Sequence, residues 1–318
     1  MAISLRQLNY FAALAEAGSF GAAAARVHVS QPALSLQIKE LESQLGTRLV
    51  DRLPREVRLT RAGQEVLTRA RRILSEVGDL EQAVRWSEGL AGRLTLGVIP
   101  TVAPYLLPLA LTRLRARDLT LDIRVREART DTLVEAVQRG RLDAAVVALP
   151  VAAEGLDAHV LAEDRFLLAG SRARWESWAA RGEAMRPTDL DAEQLLLLEE
   201  GHCLADQALE VCGLPSRRQV DLGASSLSTL CGLVAEGFGL TLLPELAVRT
   251  ETAAAPGLRL MRFAAPEPAR QLALVRRAGS ADTGWVEDLG AIFREAAAEL
   301  TCHARTSIPA EEQSKDGA

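Results

Sequence analysis

The sequence is poor in cysteine, poor in aromatic residues and without a long apolar run. Four of its 318 residues are cysteine, and aromatic residues make up 4% of it. The longest uncharged stretch, Leu94 to Thr112, is interrupted by Pro100, Pro104 and Pro108. Prolines at that density suit a strand, a turn and a short helix far better than a membrane span. The opening MAISLRQLNYFAALAEAG has no basic leader and no clear cleavage site, and Glu16 breaks it early. It does not read as a secretory signal, so a cytoplasmic location is expected, where thiols stay reduced. A cysteine pair in that setting points to redox chemistry or metal binding rather than to a structural bridge. The remaining composition, 48% hydrophobic and 25% charged, is that of an ordinary soluble protein of two or three domains.

Charge is unevenly spread. Residues 1–72 hold eleven Lys and Arg against six Asp and Glu, a net of +5. The whole chain carries −5, which leaves −10 for the rest. A basic head on an acidic body suggests that only the head meets a polyanion. In the head, Leu5, Leu8, Phe11, Leu14 and Ala15 recur at helical spacing up to Gly18. Ser19 is placed to cap the Ala-rich FGAAAARV; His28 and Val29 make a turn; Ser30 caps a third helix with Pro32 in its first turn. Leu34, Ile38, Leu41 and Leu45 give that helix a buried stripe, and Gly46 ends it. Two short helices, a tight turn and a third helix form a helix-turn-helix pattern, whose last helix enters the major groove. Its outward face carries Gln31, Pro32, Ala33, Ser35 and Lys39. Arg48, Arg52, Arg55 and Arg58 then surround Pro54 between two apolar pairs, which reads as a hairpin wing. Arg52 and Arg55 are its candidate phosphate contacts. Spacing alone also fits a plain helical bundle with a solvated charged face.

From Ala62 to Glu88, apolar residues fall at Val66, Ala70, Ile73, Val77, Leu80 and Val84, a heptad seam. A lone helix exposes such a seam, so pairing with a second copy is expected, the alternative being packing on the chain's own body. Gly89 and Gly92 read as a hinge. Beyond them, the strand patterns LTLGVIP, LDIRVREA and DAAVVAL alternate with helices, the last of these being DTLVEAVQRGRL. This predicts a mostly parallel α/β sheet, with ligands beyond the strand carboxyl ends, where Thr101 and Thr130 stand. A second series follows: FLLAG, QLLLLEE, RQVDLGA, the helix SLSTLCGLVAEG and GLTLLP. The strand QLALV and the helix WVEDLGAIFREAAAEL return to the first subdomain, and the polar end HARTSIPAEEQSKDGA reads as disordered.

The stretch SFGAAAARVHVSQPALSLQIKELESQLGTRLVDRLPREVRLTRAGQEVL closely resembles the winged helix-turn-helix of LysR-type transcriptional regulators. The body resembles that family's two-lobed, periplasmic-binding-protein-like effector domain. The resemblance implies an α/β protein with an N-terminal all-α winged helix-turn-helix at 1–60 and a linker and dimerisation helix at 61–90. A redox-sensing effector domain follows at 91–302, with lobe I at about 94–165 plus 269–300 and lobe II at about 166–268, and then a disordered tail at 303–318. It also implies double-stranded promoter DNA and RNA polymerase as partners and a homodimer or homotetramer as the working form. No enzyme activity, cofactor, metal or membrane contact is implied.

GHCLADQALEVC, residues 201–212, places Cys203 and Cys212 nine positions apart. In a helix they stand about 13.5 Å apart, at roughly 1.5 Å per residue, whereas a disulfide spans Cα atoms up to about 7 Å apart. Cys203, Cys212 and His202 form no metal-binding spacing and lack a fourth ligand. This stretch, with VIPTVAPYLLP, EARTDTL, ASSLSTL, GLTLLPELAV and PEPAR, is similar to the OxyR subfamily, the peroxide-sensing branch of the LysR type. The likeness implies that Cys203 is the peroxidatic cysteine and Cys212 the resolving one. It places Thr101, Thr130, His202 and Asp206 around the peroxide pocket. Ala205 departs from the pattern, standing where well-known members carry an arginine that bears on thiolate stability and on reset. Hydrogen peroxide is then the signal: sulfenate at Cys203 condenses with Cys212. The intervening helix unwinds, Leu204, Leu209 and Val211 repack, and promoter binding of antioxidant genes changes. Cys231 is expected in the core, and Cys302 is incidental. Two alternatives remain. A small organic effector in the interlobe cleft leaves the thiol pair unexplained, and a thiol peroxidase has no reductant site in the sequence. No nucleophile elbow supports a hydrolase.

Overall fold

The computed structural model describes residues 3–52, 56–85, 93–117, 121–179, 185–199, 201, 203–214, 224–280, 282 and 284–309. They form two compact units, Met1–Val84 and Arg85–Ala318. In the first, α1 (Leu5–Ala17) starts at a capping box between Ser4 and Gln7 and stops at Gly18, whose φ is 65°. The helices α2 (Phe20–Arg26) and α3 (Gln31–Leu45) begin where Ser19 and Ser30 accept backbone N–H groups. Phe11, Leu14, Leu34, Ile38 and Leu41 are buried between them. The strands β1 (Val50–Arg52) and β2 (Val57–Leu59) pair antiparallel as the expected wing. The Glu42 carboxylate accepts from the Leu49 and Val50 N–H groups at 2.8 and 3.2 Å, which ties α3 to that wing.

The long helix α4 (Arg61–Arg85) follows. Its apolar seam divides. Leu67 and Ala70 are buried in the head's core with Val66 and Leu74 against them, whereas Ile73 and Leu80 are 46% and 68% exposed. The reading of Val66 to Val84 as one pairing face therefore needs correction for its first turns. The side chain of Val84 and the hinge residues Gly89 and Gly92 lie outside what is described.

The second unit contains β3 (Arg93–Val98), α5 (Ala103–Arg117), β4 (Asp122–Glu127), α6 (Thr130–Gln138), β5 (Ala144–Ala148), β6 (Leu156–Ser171) and α7 (Arg172–Ala179). After these come α8 (Cys203–Cys212), α9 (Leu227–Ala235), β7 (Thr241–Pro244), α10 (Val248–Ala254), β8 (Leu258–Arg262), β9 (Ala269–Arg277) and α11 (Trp285–Ser307). The strands run in the order β4-β3-β5-β9-β6-β7, with β8 also on β6. Among the described residues only β3–β4 and β3–β5 are parallel; β5–β9, β6–β9, β6–β7 and β6–β8 are antiparallel. The expected mostly parallel sheet is thus corrected to a mixed one. The reason is β6. This strand pairs with β9 through Arg165 and with β7 and β8 from Phe166 onward, so it threads both lobes. FLLAG is only its second half. The first half, with His159, Glu163 and Asp164, lacks the apolar run that marks a buried strand.

Two further readings change. QLLLLEE is no regular strand; Leu195 alone bridges Leu240, although Leu195 to Leu198 are buried. RQVDLGA lies outside the described residues except for Ala224. The tail does not begin at 303, because α11 continues to Ser307 with Ala304 buried and Arg305 bonded to Glu245. Residues 310–318 are not described. Among the described residues no helix is long and apolar enough to cross a membrane.

Candidate functional site

Cys203 is the first residue of α8 and Cys212 the last. All four cysteines are free, Cys203 half-buried and Cys212 buried. Nine helical steps at roughly 1.5 Å separate the pair by about 13.5 Å along the axis, beyond any disulfide. Burial pushes the Cys212 thiol up to about 11. Cys231 is fully buried on α9, and burial followed by the nearby Glu251 carboxylate raises its thiol further. Cys302 is exposed on α11.

Cys203 faces a small cavity with Pro100, Thr101, Arg129, Thr130 and Gly201. Its volume is about 10 Å³, at the lower limit of the roughly 10–15 Å³ that admits one water molecule. Thr101 follows β3, and Thr130 opens α6 just beyond β4, so the carboxyl ends of two parallel strands deliver both hydroxyls to one place. The Thr130 Oγ1 is buried and has no hydrogen-bond partner among the described residues. Such a group calls for a small polar guest. Gly201 closes the cavity with φ of +90°, and an added Cβ would lie 2.5 Å from the Arg129 guanidinium. Only glycine fits there.

A second layer holds Thr101. Arg270 on β9 donates from Nη1 to Thr101 Oγ1 at 3.0 Å and from Nη2 to the Thr101 carbonyl at 3.2 Å. Its Nε donates to Asp164 Oδ2 at 2.9 Å, and both side chains of this pair are fully buried. Burial pushes the Asp164 carboxyl above its ordinary range, while Arg270 and the Leu246 N–H pull it back. Gln207 on α8 donates from Nε2 to the Leu149 carbonyl at 3.2 Å. Sequence reasoning assigned no role to Arg270, Asp164 or Gln207. Arg270 within PEPAR and Gln207 within GHCLADQALEVC stood only in stretches quoted for the resemblance.

Of the residues expected around the pocket, Cys203, Thr101 and Thr130 meet. Asp206 does not line it; it is exposed on the first turn of α8. His202 lies outside the described residues. Ala205 is buried in the core of the unit, where its small side chain fits. On α3, Gln31, Pro32, Ala33 and Lys39 are exposed and Ser35 is half-buried. Leu36, overlooked in the sequence, is 55% exposed on the same face. In the wing, Arg52 has a described backbone only, and Arg55 is outside the described residues. Arg58 is exposed and pairs with Glu56.

Residues 5–64 match the bacterial regulatory helix-turn-helix protein family, lysR type, and residues 87–298 match the LysR substrate binding domain. The chain belongs to the LysR family of transcriptional regulators. Within it, the chain is similar to OxyR-type proteins. It is 42% identical over 300 residues to a probable hydrogen peroxide-inducible genes activator of Streptomyces viridosporus, covering 93% of this chain and 95% of the relative. It is 40% identical to the DNA-binding transcriptional dual regulator OxyR of Escherichia coli, over 92% and 95% of the two chains. Among solved structures, a full-length OxyR variant from Pseudomonas aeruginosa aligns with a TM-score of 0.71 and 32% identity, covering 92% of this chain and 98% of that one. A hydrogen peroxide-bound OxyR variant of Corynebacterium glutamicum aligns with a TM-score of 0.64 and 30% identity, covering 99% of each.

Proposed function

We propose that the chain is a peroxide-responsive transcription regulator whose signal is a disulfide between Cys203 and Cys212. The observation that carries this reading is the cavity at Cys203. It is sized for one very small molecule and presents two threonine hydroxyls, one of them without a partner. The Cys203 thiolate attacks one oxygen of hydrogen peroxide, the O–O bond breaks, and the departing hydroxide takes a proton and leaves as water. Cys212 then attacks the sulfur of the sulfenic acid, an S–S bond forms, the S–O bond breaks, and a second water leaves. Thr101 and Thr130 orient the peroxide oxygens. Arg129 adds positive charge at the cavity wall. His202, the residue before Cys203 in sequence, belongs to this reading by resemblance, whereas Asp206 acts at most on the first turn of α8.

The second step cannot occur with α8 intact, because the sulfurs stand at opposite ends of it. Oxidation therefore forces the helix to unwind, and Leu204 and Leu209 must leave the core they share with Cys212. That local refold alters how two copies, paired through the exposed Ile73 and Leu80 of α4, present α3 to promoter DNA. In that complex Gln31, Pro32, Ala33, Ser35 and Lys39 face the bases and phosphates, with Arg52 and Arg55 on the backbone. Assembly into a tetramer, contact with RNA polymerase, control of antioxidant genes and a cytoplasmic setting complete the reading. A small organic effector leaves the Cys203/Cys212 pair unexplained, and a thiol peroxidase has no reductant site in the sequence beyond the cysteines. The test is Cys203→Ser: promoter binding persists, and the change in footprint on adding peroxide disappears. A variant that still switched would remove Cys203 from the sensing role.

A further inference from the structure

Asp164 and Arg270 are direct cross-strand partners on β6 and β9, at the point where β6 leaves one lobe for the other. Resting on the peroxide reading above, we propose that Asp164 is a positioning residue. It aims the Arg270 guanidinium so that the Thr101 hydroxyl points its proton into the Cys203 cavity.

A guanidinium is a planar fork of five donors with no acceptor, so fixing one edge fixes the other. Asp164 Oδ2 holds the Nε edge at 2.9 Å, and the same carboxylate is fixed by the Leu246 N–H on Oδ1 at 3.1 Å. Nη2 also lies 2.9 Å from Asp164 Oδ2, and the adjoining Nη1/Nη2 edge meets Thr101 twice, at Oγ1 and at its carbonyl. A threonine hydroxyl has one proton and accepts through its lone pairs. Since Arg270 donates to Thr101 Oγ1, that oxygen is an acceptor on the guanidinium side, and its own proton is left for the cavity. A neighbouring cation makes that proton a better donor. The atom that needs it is the peroxide oxygen departing as hydroxide, where negative charge grows as the O–O bond breaks. Without the Asp164 carboxylate, Arg270 is an uncompensated buried cation and no longer keeps this alignment.

The experiment compares two reactions of Cys203 in the full-length reduced chain, followed by mass spectrometry of the Cys203 peptide. Iodoacetamide alkylation requires thiolate and access but no hydroxyl donor, while peroxide oxidation requires all three. Asp164→Asn is expected to slow oxidation about tenfold, a modest part of the roughly 10²–10⁴-fold typical of positioned proton donors, with alkylation changed less than twofold. In a Thr101→Val background the same substitution should add nothing. If Asp164→Asn does not fold, Arg270→Lys serves instead, because a lysine keeps the charge but cannot reach Asp164 and Thr101 together. Parallel loss of both rates, an unchanged oxidation rate, or full additivity with Thr101→Val would each overturn the proposal. A wild-type Cys203 that alkylates but ignores peroxide would instead bring down the reading on which the proposal rests.

Discussion

Cys203 and Cys212 belong to one ten-residue helix, yet their surroundings differ. Cys203 borders a cavity with two hydroxyls and a guanidinium, whereas Cys212 is packed among apolar side chains that disfavour its charged form. A raised thiol value means that Cys212 keeps its proton until the pH approaches about 11. In Cys203→Ser, alkylation of Cys212 should therefore stay slow from neutral pH to pH 9 and rise only toward that value; reaction at the pace of a free thiol near pH 8 would contradict the assignment. Individual site residues were legible where local sequence carries them. Thr101 and Thr130 stood out because each follows a strand pattern, whereas the roles expected of the two cysteines came from the resemblance of GHCLADQALEVC and not from their spacing. Asp164 and Arg270 are 106 positions apart. No local pattern encodes such a pair. Asp206 shows the reverse limit: it stands three residues after Cys203 in sequence, yet it is exposed and is not among the residues lining the cavity.

Among the elements, the helices of the head were the most legible. Their stops and starts are single residues with local reasons: Ser19 and Ser30 as caps, Gly18 and Gly46 with left-handed backbone. The strand β6 was the least legible, because tertiary pairing with β9 and not an apolar run makes its first half a strand. Helix α8 is short. Helices below about 12–15 residues are marginal alone, so Leu204, Ala205, Ala208 and Leu209 in the core, with Gln207 on Leu149, hold it in place. An element sustained by packing rather than by propensity is suited to be exchanged for a bond. On α4, the exposed Ile73 and Leu80 stand one heptad apart, the repeat expected of a pairing face. Leu80→Glu should shift the chain from dimer to monomer in sedimentation velocity and weaken promoter binding in step. A dimer that persisted unchanged would move the pairing surface elsewhere.

At the scale of the whole effector unit, polar groups cluster where β6 and β9 cross between lobes. Glu245, fully buried after β7, accepts from Arg262 at 2.8 Å and from Arg305 at 3.0 Å, and Arg262 reaches Glu267 at 3.1 Å. Asp164 binds the adjoining Leu246 N–H, so the layer behind Thr101 is continuous with this crossing. Tyr105 on α5 donates to Glu251 on α10 at 2.6 Å, a further buried bond between elements distant in sequence. Helix α8, by contrast, is attached mainly by apolar contacts, as the proposed exchange requires. The two-lobed plan and the head were readable from the alternation of elements. The crossing was not, since it depends on which strands meet. The central claim, that oxidation exchanges a helix for a disulfide, is tested most directly by hydrogen-exchange mass spectrometry of the full chain before and after peroxide. Amides from 203 to 212 are expected to be protected in the reduced protein and to lose that protection once the Cys203–Cys212 bond has formed. A fully formed bond with protection across this segment unchanged would contradict it.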